Sequence, residues 1–259
     1  MNVGDISSVQ SVERAFAIVE FLSDYPNGKS LAEISRHTQL HKSTAHRLLS
    51  SLISMNYIIQ DIDTKHYKLT LKLFSFTAKQ LGKLDIMAVA KSHLDELSKL
   101  VGETIHLVLP SDTEVLYIYQ TWSNTVTPSF VMSAHVGTKL PMYRTAVGKS
   151  MLAYMRPAEI QEIWTSSNIV KVTPKTITDY DMLLSQLTQC RMEGYTIDDE
   201  ENELGIRCIG MAILDYYNRP SAAFSISAPV PRMTESRLNE LQNEMKRTVQ
   251  SIRMEISGI

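Results

Sequence analysis

Between residues 30 and 69 the hydrophobic pattern switches its period from 3.6 to 2, and this switch restricts the chain more than any other feature. Leu31 and Ile34, then Ala45, Leu48, Leu49, Leu52 and Ile53, recur at helical spacing. Upstream, Val9, Val12, Ala15, Phe16, Val19 and Leu22 follow the same rule over residues 9–25, so a first helix is expected with that stripe inward, ended by "YPNG". Ser30 followed by Glu33 is the capping-box pattern for a short helix over 31–37, with Leu31, Ala32 and Ile34 inward. "TQL" leaves room for a tight turn before a third helix at about 41–55. Asn56 is a plausible C-terminal cap for it. The stretch "YIIQDIDTKHYKL" then alternates with period two and reads as strand, charged turn, strand. Three helices and a hairpin within about 60 residues form the winged helix-turn-helix plan.

With its leucines packed inward, the third helix shows Lys42, Ser43, Arg47 and Ser50 on the opposite face, flanked by Thr44 and His46. These side chains hydrogen-bond phosphates and base edges, and a major groove admits one helix. The hairpin adds Lys65, His66 and Lys68 for the backbone or minor groove. For an isolated helix, a merely solvated polar face would be the better reading; the tri-helical context with a wing favours double-stranded DNA. A metal reading of "HTQLHKSTAH" is poor, because His37 and His41 straddle a turn with no acidic or thiolate partner nearby. Charge points the same way as the DNA reading. The chain is −2 overall, but residues 1–86 hold ten Lys/Arg against eight Asp/Glu, and four of the seven histidines fall there.

Residues 1–70 are therefore expected as the DNA-binding domain and 71–86 as a linker helix and hinge near Gly82. Residues 87–259 are expected as a second domain. There a helix at 87–101 has Met87, Val89, Ala90, Leu94, Leu97 and Leu100 to bury. Strands are expected at 104–110, 115–122, 129–136, 195–199, 207–215 and 221–229, and helices at 145–155, 179–193 and 234–256. The interspersed order implies an α/β domain with a mostly antiparallel sheet, and an α+β chain overall. No apolar run reaches the roughly 18 residues of a membrane span, and the N-terminus lacks a secretory pattern. Cys190 and Cys208 match no metal or redox spacing, and two free thiols fit a reducing cytosol. No cofactor is expected. "VGKS" imitates the end of a phosphate-binding loop, but Tyr143 stands where that loop needs glycine, and there is no G-x-G-x-x-G.

Taken in order, several segments resemble the IclR family of bacterial transcription regulators over nearly the whole chain: "SVERAFAIVEFL", "SLAEISRHTQLHKSTAHRLLSSL", "LPMYRTAVGKSMLA", "GYTIDDEENELGIRCIGMAILD" and "AAFSISAPVPRMT". "YKLTLKLF" and "ETIHL" are more similar to the KdgR-like branch, which senses 2-keto-3-deoxygluconate, than to the glyoxylate-shunt branch. The resemblance implies a GAF/profilin-like effector domain and a ligand-responsive regulator, more usually a repressor, of carbon catabolism. It implies a pocket walled by Met132, Ala146, Val147, Asp198, Ile206, Cys208, Ser225 and Ser227. The expected effector is a small organic acid, a sugar acid or 2-keto acid. A homodimer paired through the N-terminal domains would present two recognition helices to a pseudo-palindrome, with further assembly to a tetramer through the C-terminal domains. The sequence departs from the family at Gln39 and Asn56, where glycine is usual, at His41, where proline is frequent, and at Arg144, where a small residue is frequent. A left-handed Gln39 would cost about 1 kcal/mol relative to glycine.

The residues carry part of this reading alone. Ser225 and Ser227 alternate on one strand and so face one side, as do Ile206 and Cys208. A helix opening at Ala146 and Val147 leaves amides free for a carboxylate, and Asp198 could accept from ligand hydroxyls. The plainer reading of the two serines is satisfied core hydroxyls. Two other functions remain open at this level. One is an acid-processing enzyme with Cys208 as nucleophile, His106 or His135 as base and Asp198 as orienter, although no spacing supports it. The other is a DNA-binding architectural protein whose second domain only oligomerises.

Overall fold

The computed structural model describes residues 9–81, 85–121 and 134–257. The chain divides into two compact units, Met1–Lys83 and Leu84–Ile259, each with its own core.

The first unit holds α1 (Gln10–Ser23), α2 (Leu31–His37), α3 (Lys42–Ser54), the strands β1 (Ile58–Gln60) and β2 (Tyr67–Leu69), and α4 (Lys72–Leu81). β1 and β2 form an antiparallel hairpin. Its core joins Ile18, Phe21 and Leu22 of α1 to Ile34, Leu49, Leu52, Ile58 and Tyr67. The capping box forms: Glu33 N–H donates to the Ser30 hydroxyl at 3.3 Å and Ser30 N–H to the Glu33 carboxylate at 2.9 Å. Gln39 and Asn56 take the left-handed conformation, with φ of 54° and 61°. Lys29 and Tyr67 exchange backbone hydrogen bonds of 3.0 and 2.8 Å, tying the turn before α2 to the hairpin. That approach requires Gly28, whose φ is +75° and whose β-carbon would lie 2.5 Å from the Tyr67 carbonyl oxygen.

The expected inward stripe of α1 is corrected. Val9, Val12 and Phe16 are 62, 52 and 56% exposed, because only the C-terminal half of α1 reaches the core. In α2, Ile34 is buried while Leu31 is half-buried and Ala32 exposed.

The second unit runs α5 (Asp85–Val101), β3 (Thr104–Ser111), β4 (Glu114–Gln120), β5 (Lys139–Pro141), α6 (Ala146–Leu152), α7 (Pro157–Ser166), α8 (Tyr180–Glu193), β6 (Thr196–Asp199), β7 (Ile206–Leu214), β8 (Pro220–Pro229) and α9 (Glu235–Ser257). Its six strands lie in the order β5-β4-β3-β8-β7-β6, every neighbouring pair antiparallel. α6 packs on β6, β7 and β8, and α9 on β7 and α5. The buried line of α5 is Ala90, Leu94, Leu97 and Val101, so Leu100 falls beside it and is exposed. α7, introduced by Pro157 and a Glu159 carboxylate that accepts the Arg156 N–H at 2.9 Å, was not anticipated from the sequence. Residues 134–136 are not strand, and the remainder of the strand expected at 129–136 lies outside the described residues.

Candidate functional site

Two surfaces bear on function, one in each unit. On α3, burial of Ala45, Leu49 and Leu52 turns Lys42, Ser43, His46, Arg47 and Ser50 outward, while Thr44 is half-buried. No side chain caps the start of α3, where His41 stands. The Ser50 hydroxyl donates to the His46 carbonyl at 2.9 Å, which leaves its oxygen lone pairs as its outward function. In the hairpin, Lys65 is exposed at the turn with φ of 59°. Lys68 is less available, since its ammonium lies 3.2 Å from Asp61. Asp61 also accepts the amides of Asp63 and Thr64 and so organises the turn. These bonds, the Thr64 amide first, hold its carboxyl well below the usual carboxylate range.

In the second unit the register of the sheet gathers polar side chains on one face. Asp198 lies opposite Cys208, Cys208 opposite Ser227, and His106 opposite Ser225. The start of α6 rests on this face over Gly210, whose β-carbon would lie 2.5 Å from the Ala146 carbonyl carbon and 2.7 Å from the Val147 nitrogen. The Thr196 hydroxyl donates to the Ala146 carbonyl at 2.5 Å, and Thr145 caps the helix by accepting the Gly148 N–H at 3.1 Å. Between sheet and helix lies a small, largely enclosed cavity of about 20 Å³, room for about one water. Ala146, Val147, Asp198, Ile206, Cys208, Ser225 and Ser227 all line it, and Met132 lies outside the described residues. The cavity is also lined by Tyr117, Ala134, Thr145, Asn202 and Glu203, which the sequence reading did not single out.

Asp198 is buried, and its Oδ1 accepts the amides of Glu201 at 2.7 Å and Asn202 at 3.3 Å. Burial pushes its carboxyl up to about 7; the nearby Lys149 and those amides oppose the rise and Glu201 adds to it. Burial thus favours the protonated carboxyl, which can donate as well as accept. Behind Ser227 stands His106, with Nδ1 3.5 Å from the serine hydroxyl and its ring edge-on to Tyr117. Burial lowers the His106 ring to about 4 against the pull of the Ala134 backbone. Burial also drives the Cys208 thiol far above its ordinary range, as does Asp198, with Ser227 opposing.

Comparison with known proteins identifies the architecture. Residues 11–61 match the IclR helix-turn-helix domain, and residues 78–254 match the C-terminal domain of the bacterial transcriptional regulator IclR. The chain belongs to the IclR family. Among IclR-family relatives, it is 34% identical over 249 residues to the DNA-binding transcriptional repressor YiaJ of Escherichia coli K12, covering 95% of this chain and 88% of that one. It is 35% identical over 233 residues to the regulator KdgR of the same organism, covering 90% and 87%. The crystal structure of Thermotoga maritima IclR superposes with a TM-score of 0.80 at 31% identity, covering 95% and 98%.

IclR membership makes the chain a DNA-binding transcriptional regulator with a C-terminal domain for a small-molecule effector, and the family is not one of enzymes. The site agrees in chemical terms. A cysteine nucleophile needs a thiolate beside a proton-accepting imidazole. Here burial keeps the Cys208 thiol protonated, and His106 is placed against Ser227 and Tyr117. His135 is exposed and bonded to Thr138. Among the described residues no group of three or more His, Cys, Asp or Glu is placed to hold a metal ion, and no helix is long and apolar enough to cross a membrane.

Proposed function

We propose that this IclR-family protein is an effector-responsive repressor of a carbon-catabolism operon, reading operator DNA with α3 and binding a small hydroxylated carboxylate, a sugar acid or 2-keto acid, in the cavity beneath α6. The observation that carries the reading is that seven of the eight residues implied by the family resemblance, from α6, β6, β7 and β8, line one cavity. Its hydroxyl and carboxyl groups suit a polyhydroxylated metabolite, which has to widen the cavity to enter it.

DNA is read by Lys42, Ser43, Thr44, His46, Arg47 and Ser50, with Lys65 and Lys68 on the wing. The protein acts as a dimer paired through its N-terminal units, with assembly to a tetramer through the C-terminal ones. The uncovered stripe Val9, Val12 and Phe16, one face of α1, supports the pairing, since a row of large apolar side chains is costly to leave in water. Effector binding shifts DNA affinity only through its different affinity for the DNA-competent and incompetent arrangements.

The test is a thermal-shift screen of sugar acids and keto acids, followed by binding to a duplex selected from random pools, with and without each hit. A hit that raises the melting temperature and weakens duplex binding is expected. A hit that leaves duplex binding unchanged would remove the regulatory role from the cavity.

A further inference from the structure

We propose that the cavity takes up its effector as a carboxylate anion together with one proton held on Asp198, so that effector affinity falls as pH rises through neutrality. The inference rests on the cavity being the effector site and adds the charge state in which that site works.

The cavity lacks a side-chain counter-charge for an anion. None of the described residues lining it is Lys or Arg. The nearest buried cation, Lys149 on α6, is committed elsewhere: its ammonium donates to Gln186 Oε1 and the Ile197 carbonyl, each at 2.7 Å, and to Glu201. All three of its protons are therefore used. Asp198 contributes one oxygen to the amides of Glu201 and Asn202, which fixes the carboxyl at the cavity wall. A second carboxylate brought against it in a site shielded from water cannot remain ionised beside an ionised Asp198, and such pairs share one proton.

The surrounding groups leave Asp198 as the one that titrates. From β3, His106 is kept neutral by burial, at about 4. From β7 and β4, the Cys208 and Tyr117 protons are held by burial. Glu201, on the loop after β6, is raised by burial but paired with Lys149. Glu203 on the same loop also lines the wall, so the cavity offers an anion a further carboxyl group and no cation. Burial pushes Asp198 up to about 7, so the proton is present below neutrality and must be drawn from solution above it. In balance, the ionised protein, the anion and one proton give a complex with a neutral Asp198, and only an O–H bond forms.

The experiment is calorimetric titration of the full chain with sodium D-gluconate, sodium 2-keto-D-gluconate and sodium pyruvate, at pH 6, 7 and 8, in two buffers of different ionisation enthalpy. Choline chloride, cationic at each of these pH values, serves as the cationic comparison. For an acid that binds, affinity is expected to weaken by roughly tenfold from pH 6 to pH 8, with close to one proton taken up per ligand at pH 8. Asp198→Asn keeps an oxygen for both amides and gains an N–H donor. It should bind at every pH about as the wild type does at pH 6, and take up no proton. The proton count on the wild-type protein decides the matter even if that variant folds poorly. A flat pH profile, no proton uptake, or a preference for choline that strengthens with pH would overturn the inference while leaving the cavity a ligand site. Failure of all three acids to bind at pH 6 would overturn the acid-effector reading itself, and this inference with it.

Discussion

Lys149 and Glu201 form an ion pair from which water is excluded on both sides, the ammonium 0% and the carboxylate side chain 5% exposed. The pair joins α6 to the loop after β6, and through Gln186 and Ile197 the same ammonium also holds α8 and β6. Removing one partner leaves the other charge buried and unpaired. Lys149→Met should therefore cost about 3–5 kcal/mol in urea unfolding, and Lys149→Met with Glu201→Leu should recover most of that loss. A single variant within 1 kcal/mol of wild type would show that the charges are not held as a pair.

Asp198 gives a pH dependence in the ligand-free protein. Its folded-state carboxyl, at about 7, lies above its unfolded value near 4, so the folded state binds more protons between them. Stability from this group is complete below about pH 4, declines as pH rises to about 7, and is level above. In Asp198→Asn this decline is absent. The stability of the variant relative to wild type should rise by a few kcal/mol between pH 5 and pH 7.5 and then level off. A pH-independent difference in denaturant midpoints would show that Asp198 is ionised throughout.

Gln39 turns the chain between α2 and α3 with φ of 54°, a conformation that disfavours any residue with a β-carbon. Gln39→Gly removes that penalty but loosens the unfolded chain, so the net stabilisation should be about 0.5–1 kcal/mol by thermal unfolding of the full chain. A loss of stability would mean that the Gln39 side chain makes a compensating contact.

How much of this could be read from the sequence depends on how local each determinant is. The Ser30–Glu33 box and the α3 stripe are set by residues within a few positions of one another and were legible, whereas a left-handed Gln39 was suggested only by the glycine usual there in the family. The exposed Val9, Val12 and Phe16 were misassigned because periodicity reveals an apolar face without revealing what, if anything, lies against it. Ser225 with Ser227, and Ile206 with Cys208, follow from strand alternation, though their selection as pocket wall came from the family resemblance. Tyr117 was not legible as a neighbour of that wall, and His106 entered only as a conjectured base for Cys208, without the contact to Ser227 that the structure shows. Ser227 meets His106 only because β3 inserts between β4 and β8, a pairing of strands more than 100 residues apart that no local pattern encodes. The Lys149–Glu201 pair, 52 residues apart in the chain, was not legible for the same reason.

Arg47 tests the outward face of α3. On a duplex recovered by selection from random pools, Arg47→Ala should weaken binding by about 1–3 kcal/mol and relax the preference at one or two base pairs. Equal weakening on selected and unrelated duplexes, read by fluorescence anisotropy, would assign Arg47 to a phosphate instead.

The wing offers a test through a residue that does not face DNA. Asp61 neutralises Lys68 at 3.2 Å while its other oxygen orders the turn by accepting the amides of Asp63 and Thr64. Asp61→Asn can keep the amide-accepting oxygen and remove the charge, so the wing should retain its shape while Lys68 becomes free. Each additional phosphate neutralised steepens the fall of log affinity with log salt by about 0.9. The variant should therefore bind an unrelated 30-base-pair duplex more tightly at low salt, with a slope steeper by about one. Lys68→Ala added to Asp61→Asn should return the slope to its original value. An unchanged slope in Asp61→Asn, with the fold intact by circular dichroism, would mean that Lys68 does not reach a phosphate and that Lys65 carries the wing's contact alone.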